Sequence, residues 1–308
     1  MEHVLYLKDY DGKWIESIVD TAIDMKKNPD KYANALKQKT LAMVFQKSST
    51  RTRLSFETGM TKLGGHAIFI DWRTTQIGLG AVGDEAKVIS RYVDAIMVRP
   101  LKHETVAEFA RTSRVPVING LCERYHPCQA LADVMTIKEK KGKLKNVKVV
   151  YVGIGNNVSN SLSVACAKTG CDFTLCVPEK DPDSVDKAQL DMLKKMKNYR
   201  EEPNMEKAVK GADILYTDTW VNMEFFNDPK FAGEKSRREK LFMPYQLNKA
   251  MLEKAGPQAF SMHDMPAHIG YEIDEYGLRG PKSLAFDQAE NRMWAQMALL
   301  VKLIGKGK

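Results

Sequence analysis

The sequence predicts an α/β protein with two domains, each a parallel sheet flanked by helices. Short apolar runs of strand type alternate with stretches of helical periodicity as far as residue 120. That alternation is typical of parallel strands joined by crossover helices. A second cycle of the same kind begins after the basic, glycine-containing stretch 138–146, and a chain of 308 residues is long enough for two separate cores.

The first half is predicted to contain four strands. TLAMVFQ at 40–46 is a short apolar run, and the following stretch 52–63 places Leu54, Met60 and Leu63 at roughly helical spacing. The other predicted strands are 64–71, 95–100 and 115–120, and the other predicted helices are 15–26, 30–38, 84–93 and 103–113. This order of elements favours a parallel sheet with helices on both faces.

The second half repeats the alternation. Its predicted strands are 147–153, 172–178 and 214–219, and its predicted helices are 157–169, 184–197 and 205–213. The amphipathic segment 289–305 is predicted to be a long helix that packs back on the first half. We therefore expect one domain formed by 1–137 together with 289–308, and a second formed by 138–288.

The bulk composition indicates an ordinary globular protein, with 44% hydrophobic and 28% charged residues. The net charge is +8, and the basic residues are interleaved with acidic ones. This pattern is more typical of a solvated surface than of a nucleic-acid-binding protein. Electrostatic steering of a small anionic substrate stays open as an alternative. No apolar run approaches the roughly 18 residues that span a bilayer, and the N-terminus lacks an apolar signal core, so we expect a cytoplasmic protein with no membrane partner. The five cysteines include no CxxC pair and are interpreted as free thiols rather than zinc ligands.

The segment Ser49-Thr50-Arg51-Thr52-Arg53 follows a predicted strand and opens a predicted helix. The free N–H groups and the positive dipole end of such a helix start attract anions. Hydroxyl groups add donors, and a guanidinium group matches the oxygens of a phosphate. The residues alone leave two interpretations open, a phosphate site and a capped, charged helix start.

Two further segments place polar side chains at predicted strand ends. Arg99 in MVRP lies at the carboxyl end of a strand, the edge at which open parallel sheets bind ligands. His126 and Gln129 share a helix face if that helix begins at Pro127. A neutral histidine there could donate to a polarised carbonyl oxygen or relay a proton from it, and a purely structural histidine is the alternative.

The turn GIGNNVSN at 153–160 begins like a dinucleotide-binding turn, but Val158 stands where the third glycine belongs. A nicotinamide cofactor is therefore disfavoured. Asn156 and Asn157 could instead donate to a carboxylate. Asp218, in YTDTW, also stands at a predicted strand end and could hold an ammonium group.

The loop MHDMPAHIGYE at 262–272 contains His263, Asp264 and His268. Two histidines and an aspartate are conceivable metal ligands, but their spacing matches no standard metal motif. We therefore predict no metal ion and no organic cofactor.

Together, four motifs resemble the aspartate/ornithine carbamoyltransferase family, and its ornithine branch in particular. The motifs are STRTR, HPCQALADVMTI, TDTW and FDQAENRMW, in the order and spacing of that family. The resemblance runs over nearly the whole chain. It implies transfer of a carbamoyl group from carbamoyl phosphate to an amine, most simply the side-chain amine of L-ornithine to give L-citrulline and phosphate. It also implies a homotrimer, or a multiple of trimers, with sites between subunits.

The resemblance also implies the roles of individual residues. Ser49, Thr50, Arg51 and Thr52 would cradle the phosphate, and the carbamoyl group would be surrounded by Arg99, His126, Gln129 and Arg292. Gln76, in TTQIGLG, is similar to a residue that reaches into the neighbouring subunit's site. The acceptor amino acid would be held by Asn157, Asp218, Asn222, Met223, Asp264 and Met265. Arg51, Thr52, Arg99, His126 and Gln129 would be catalytic, because their donors suit the oxyanion and the departing phosphate.

Two segments of the acceptor half depart from the family's pattern. Asp264-Met265 replaces a Cys-Leu pair, and Asn222-Met223-Glu224 replaces Ser-Met-Gly. A carboxylate beside the reacting ammonium would raise the pKa of that amine, which opposes attack. Lysine, putrescine or an acylated ornithine therefore stay open as acceptors, and a non-catalytic relative that binds carbamoyl phosphate or an amino acid is the alternative of another class.

Overall fold

The computed structural model describes residues 1–221 and 225–305. These residues divide into two compact units. Unit 1 comprises Met1–Met135, Asn160–Ala165 and the chain from Glu290, and unit 2 comprises Thr136–Ser159 and Cys166–Ala289. Each unit is built on one parallel sheet, so the predicted fold class, an α/β protein with two parallel sheets flanked by helices, is confirmed.

The sheet of unit 1 has four parallel strands in the order β2-β1-β3-β4. Its strands are β1 (Thr40–Phe45), β2 (His66–Asp71), β3 (Ala95–Arg99) and β4 (Val117–Asn119). The accompanying helices are α1 (Gly12–Lys27), α2 (Thr50–Lys62), α3 (Val82–Ile89) and α4 (His103–Thr112), with most of α5 (Pro127–Lys141) and of α12 (Ala285–Ile304). Val44, Ile96 and Phe109 lie in the core between the sheet and its helices, and all three are fully buried.

The register of this sheet explains why the predicted phosphate segment and Arg99 come together. Phe45, the last residue of β1, is paired with Arg99, the last residue of β3. Gln46 N then donates to the Arg99 carbonyl oxygen at 3.0 Å. Because parallel strands end at the same edge, the loop after β1 and the Arg99 side chain lie at that edge.

Unit 2 contains a five-stranded parallel sheet in the order β7-β6-β5-β8-β9. Its strands are β5 (Lys148–Gly155), β6 (Asp172–Lys180), β7 (Tyr199–Glu201), β8 (Ile214–Thr217) and β9 (Phe260–His263). The remaining helices are α6 (Asn157–Lys168), α7 (Lys187–Lys194), α8 (Met205–Val209), α9 (Ala232–Phe242), α10 (Lys249–Ala255) and α11 (Glu275–Arg279). The register pairs Val152 with Thr217 and Thr217 with His263, so the residues that follow β5, β8 and β9 share one edge.

The prediction of a helix over 30–38 is wrong. A 3₁₀ turn at Pro29–Tyr32 is followed by turns, and Gln38 has a positive φ of 65°. Of residues 30–38 only Leu36 is buried, so the segment has no apolar stripe that could hold a regular helix against the core. No helix within the described ranges has the length and apolarity needed to cross a membrane.

Candidate active site

The first turn of α2 carries the predicted phosphate segment. Ser49 is the N-cap residue, and its hydroxyl accepts from Thr52 N at 3.3 Å. The cap has extended backbone geometry and is followed directly by helical residues, which is the arrangement that leaves first-turn N–H groups available to an anion. Thr50 is exposed at the helix start, and Thr52 is buried.

The two arginines of this segment have different surroundings. Arg53 is exposed, donates from Nε to Glu57 at 3.0 Å and lies over the Phe69 ring at 3.8 Å. Arg51 is half-buried and acts electrostatically on His126. The two arginines therefore have different partners. Arg53 contacts Glu57 and Phe69, whereas Arg51 is one of the three arginines, with Arg99 and Arg292, whose charges act on His126.

Two buried guanidinium groups converge on the Thr52 hydroxyl. Arg292, only 3% exposed, donates from Nη2 to Thr52 Oγ1 at 3.2 Å. Arg99, 9% exposed, donates from Nη1 to the same oxygen at 3.5 Å. Arg292 also donates from Nη1 to Gln129 Oε1 at 2.6 Å. One hydrogen-bonded group thus joins four predicted carbamoyl-phosphate residues from distant parts of the chain, namely Thr52, Arg99, Gln129 and Arg292.

His126 immediately precedes α5, which begins at Pro127 as the sequence predicts. Its backbone N donates to Ser161 Oγ at 2.8 Å, and its buried Nδ1 finds no hydrogen-bond partner among the described residues. Burial, followed by the positive charges of Arg292, Arg99 and Arg51, holds the pKa of His126 well below its ordinary value. His126 is therefore a neutral imidazole at physiological pH, and it is suited to donating one hydrogen bond rather than to carrying a charge.

In unit 2, Asp218 directly follows β8 and is held by neutral donors. Its Oδ2 accepts from Asn156 Nδ2 at 2.6 Å, and its Oδ1 accepts from Thr219 N at 2.7 Å. The donor anticipated from GIGNNVSN is thus Asn156, while Asn157 begins α6. Because these donors carry no charge, the Asp218 carboxylate remains a site for a cation.

The loop after β9 is fixed by a buried histidine and glutamate. His263 Nδ1 accepts from Met265 N at 2.8 Å, so the ring proton is on Nε2, which donates to Glu272 Oε1 at 3.2 Å. Glu272 Oε1 also accepts from His268 N at 2.5 Å, and His268 Nδ1 is 3.0 Å from Thr219 Oγ1. These contacts link the Asp264 loop to the residue beside Asp218.

Asp218, His263 and Asp264 each place one oxygen or nitrogen within 4.8 Å of the others. That is the geometry of a possible cation site, and His268 is not part of it. Both nitrogens of His263 are already engaged, however. A metal ion bound through His263 would have to displace either the Met265 N–H or Glu272.

The remaining predicted residues are Gln76, Asn222 and Met223. Gln76 lies on the exposed loop between β2 and α3, and Leu79 on the same loop is 84% exposed. Asn222 and Met223 lie outside the described residues. Sequence reasoning did not single out Asp133, Asn156 as the Asp218 partner, or Glu272. Of these three, only Asp133 could have been noticed in the sequence, because it is an acidic residue within the apolar run that forms α5.

The shifted pKa of His126 predicts a pH-dependent stability. Below about pH 6.5 the unfolded chain binds a proton at this histidine that the folded protein does not. The free energy of unfolding therefore decreases as the pH is lowered, by up to about 1.4 kcal/mol per pH unit. Above that pH both states are neutral and the contribution is constant. Urea denaturation at pH 7.5, 6.5 and 5.5 should give a shallower dependence for His126→Gln than for the unmodified protein. The exposed His66→Gln control should retain the full slope, and equal slopes for all three proteins would contradict the assignment.

Comparisons with known proteins match the whole chain. Residues 2–139 match the carbamoyl-P binding domain of aspartate/ornithine carbamoyltransferase, and residues 145–303 match its Asp/Orn binding domain. The ornithine carbamoyltransferase of Bacillus subtilis (strain 168) is 44% identical over 99% of this chain and 94% of its own length.

Solved structures agree with this assignment. The ornithine carbamoyltransferase from Pyrococcus furiosus has a TM-score of 0.91 and 42% identity, and the match covers 100% of this chain and 98% of that one. An acetylornithine transcarbamylase complexed with acetylcitrulline has a TM-score of 0.85 and 28% identity, over 99% of this chain and 100% of that one. The chain therefore belongs to the aspartate/ornithine carbamoyltransferase family.

Proposed function

We propose that this chain transfers the carbamoyl group of carbamoyl phosphate to the side-chain amine of L-ornithine, giving L-citrulline and phosphate. The observation that carries the proposal is the convergence of the Arg99 and Arg292 guanidinium groups on Thr52, with neutral His126 close to the same two charges. The similarity of the chain over its full length to ornithine carbamoyltransferases supports ornithine as the acceptor.

The proposed reaction forms a C–N bond, breaks the C–O bond to phosphate and moves one proton from the amine, which balances when the departing phosphate takes it up as HPO₄²⁻. Negative charge develops on the carbonyl oxygen during attack, and Arg99, His126 and Thr52 supply donors for it. Arg51 and the first-turn amides of α2 stabilise the departing phosphate. No covalent intermediate is needed, because holding the two substrates in attack geometry supplies a large part of the acceleration.

In the acceptor half, we assign Asp218 to the α-ammonium group of the amino acid. Its two oxygens are oriented by Asn156 and Thr219 N, so its position is fixed before the substrate arrives. Asn157, Asp264 and Met265, together with Asn222 and Met223, complete the proposed acceptor contacts. The reacting amine has to be neutral to attack, which is why the carboxylate suits the ammonium group that does not react.

A second candidate keeps the chemistry and changes the acceptor. The close approach of Asp264 to Asp218 and His263 favours it. The resemblance to the ornithine branch leads us to expect a thiol, not a carboxylate, at this position. Lysine, putrescine and an acylated ornithine are the alternatives. A non-catalytic binding protein is less well supported, because the chain retains Arg51, Thr52, Arg99, His126, Gln129 and Arg292.

We also propose a cytoplasmic homotrimer, alone or as a multiple. Leu79, 84% exposed beside Gln76, is the type of apolar side chain that is covered in an interface. A cleft of about 450 Å³ next to Ser49 and Thr50 offers a place for the corresponding loop of a second copy. Gln76 would then complete the phosphate site of a neighbouring subunit.

Arg51→Ala should reduce kcat/KM by about a hundredfold or more, since it removes roughly 3 kcal/mol of stabilisation of the departing phosphate. Arg111→Ala is the control, because Arg111 is an exposed arginine of α4 that is bound to Glu108 and lies outside the cleft next to Ser49 and Thr50. Citrulline formation at subsaturating carbamoyl phosphate measures both. If the two variants lose activity equally, the phosphate site is misplaced.

Steady-state assays with ornithine, lysine, putrescine, N-acetylornithine and aspartate test the acceptor. Ornithine should exceed lysine in kcat/KM by about tenfold or more, since one additional methylene group is worth about 1–3 kcal/mol in a fitted pocket. Asp264→Cys, which restores the family's residue, should keep ornithine as the preferred acceptor. Higher turnover of lysine or putrescine by the unmodified protein would establish the altered-acceptor alternative instead.

Subunit complementation tests the proposed trimer. Arg51→Ala and Gln76→Ala variants should each be weakly active alone, because every site lacks one group. Mixed trimers contain some sites with both native residues, so dissociation and reassociation of an equal mixture should restore part of the activity. Absence of any recovery, in a mixture shown by native mass spectrometry to contain hybrids, would place Gln76 in its own subunit's site or in none.

A further inference from the structure

Asp133 is a buried carboxylate at the end of a hydrogen-bonded series that reaches Thr52. Its Oδ1 accepts from Gln129 Nε2 at 2.8 Å. Gln129 Oε1 accepts from Arg292 Nη1 at 2.6 Å, and Nη2 of the same guanidinium donates to Thr52 Oγ1 at 3.2 Å. None of these four residues is more than 3% exposed, and all lie within unit 1.

The residue types at the two ends of Gln129 fix the orientation of its amide. A carboxylate only accepts hydrogen bonds, and a guanidinium group only donates them. The amide between Asp133 and Arg292 must therefore turn its NH₂ to the former and its carbonyl oxygen to the latter. The reversed amide would leave buried donors facing donors and buried acceptors facing acceptors, and each group left unsatisfied in this way would carry its full desolvation penalty.

This orientation determines what the site offers a ligand. Arg292 occupies one lone pair of Gln129 Oε1, and the second can accept an N–H. Thr52 Oγ1 accepts from Arg292 and, at 3.5 Å, from Arg99, so its own proton is left for a ligand oxygen. Gln129 thus presents an acceptor and Thr52 presents a donor.

We propose that Asp133 is a positioning and specificity-determining residue for the acyl phosphate. By holding the NH₂ group of Gln129, it leaves only the carbonyl oxygen to face the acyl group. The site then selects an acyl group that carries N–H donors, so that carbamoyl is preferred to acetyl. Asp133 does not touch the substrate and acts through Gln129. The inference rests on the proposed function, because it takes carbamoyl phosphate as the ligand.

The discrimination cannot come from size, because a methyl group and an NH₂ group occupy similar volumes. A site built to bond an N–H can reject an analogue that lacks it by several orders of magnitude, since the buried acceptor is then left unpaired. The carboxylate at 133 keeps that acceptor in place.

Binding of two stable phosphonates by calorimetry tests the proposal without requiring turnover. Phosphonoacetamide carries the carbamoyl NH₂ group, and acetonylphosphonate carries a methyl group at the same position. The unmodified protein should bind the amide at least about tenfold more tightly. Asp133→Leu removes the acceptor for Gln129 Nε2, so this NH₂ group becomes free to turn towards the ligand, and the ratio of the two affinities should fall to about threefold or less. Asp133→Asn keeps an oxygen that accepts from Gln129 Nε2 and should keep the ratio.

Two further variants separate positioning from a merely structural role. Asp94→Asn removes a carboxylate of the same unit that binds Lys39 Nζ at 2.7 Å and Thr40 N at 2.8 Å, and it should keep the full ratio. The double variant Gln129→Glu with Asp133→Leu carries a carboxylate at position 129, which presents only acceptors whichever way it is turned, so the preference for the amide should return. This variant also serves if Asp133→Leu alone does not fold.

An unchanged ratio in Asp133→Leu would overturn the proposal, and so would loss of the preference in the double variant. Equal weakening of both phosphonates in Asp133→Leu would show a structural role only. Failure of the proposed function is a separate result, namely phosphonoacetamide binding by the unmodified protein with no carbamoyl transfer to any amine.

Discussion

Burial of the Arg99 and Arg292 guanidinium groups is the constraint on which the phosphate half of the molecule depends. A buried cation is costly unless hydrogen-bond acceptors surround it. Two acceptors that the protein supplies here are neutral, the Thr52 hydroxyl and the Gln129 carbonyl oxygen. Neutral acceptors satisfy the N–H groups without cancelling the charge, so the positive potential persists and depresses the pKa of His126. A site in that condition favours a multiply charged anion.

Parallel strand ends bring these groups together. Pairing of Phe45 with Arg99 brings the STRTR loop beside the end of β3, and Arg292 arrives from a helix more than 190 residues later in the chain. In unit 2 the same rule places Asp218 beside the loop after His263. The chemistry of each half therefore follows from register more than from any local motif.

Sequence patterns predicted the strands that carry strong apolar runs, and they failed where tertiary contacts decide the structure. Strand β9 and helix α9 were missed, since FSMH is too short to show a period and only Phe242 is buried among the charged residues of α9. Without β9, the nearness of Asp264 to Asp218 could not be derived. The motif STRTR predicted an anion site. The sequence alone does not show that Arg53 binds Glu57 whereas Arg51 lies close enough to His126 to act on it electrostatically. That distinction depends on Phe69, which lies on another strand.

The two halves use the same device with opposite signs. In unit 1, the neutral Thr52 and Gln129 accept from the buried cations, and in unit 2 the Asp218 carboxylate is held by the neutral donors Asn156 and Thr219 N. Each half thus holds its charged groups by hydrogen bonds and still carries the charge that its substrate complements. His263 fits this pattern, because its Nε2–H donates to Glu272 and its Nδ1 accepts from Met265 N. The ring therefore fixes the conformation of the loop without adding a charge. Asp264 is the point at which this chain adds a charge where the resemblance leads us to expect a thiol, and the choice of acceptor therefore depends on where that carboxylate meets an ammonium group.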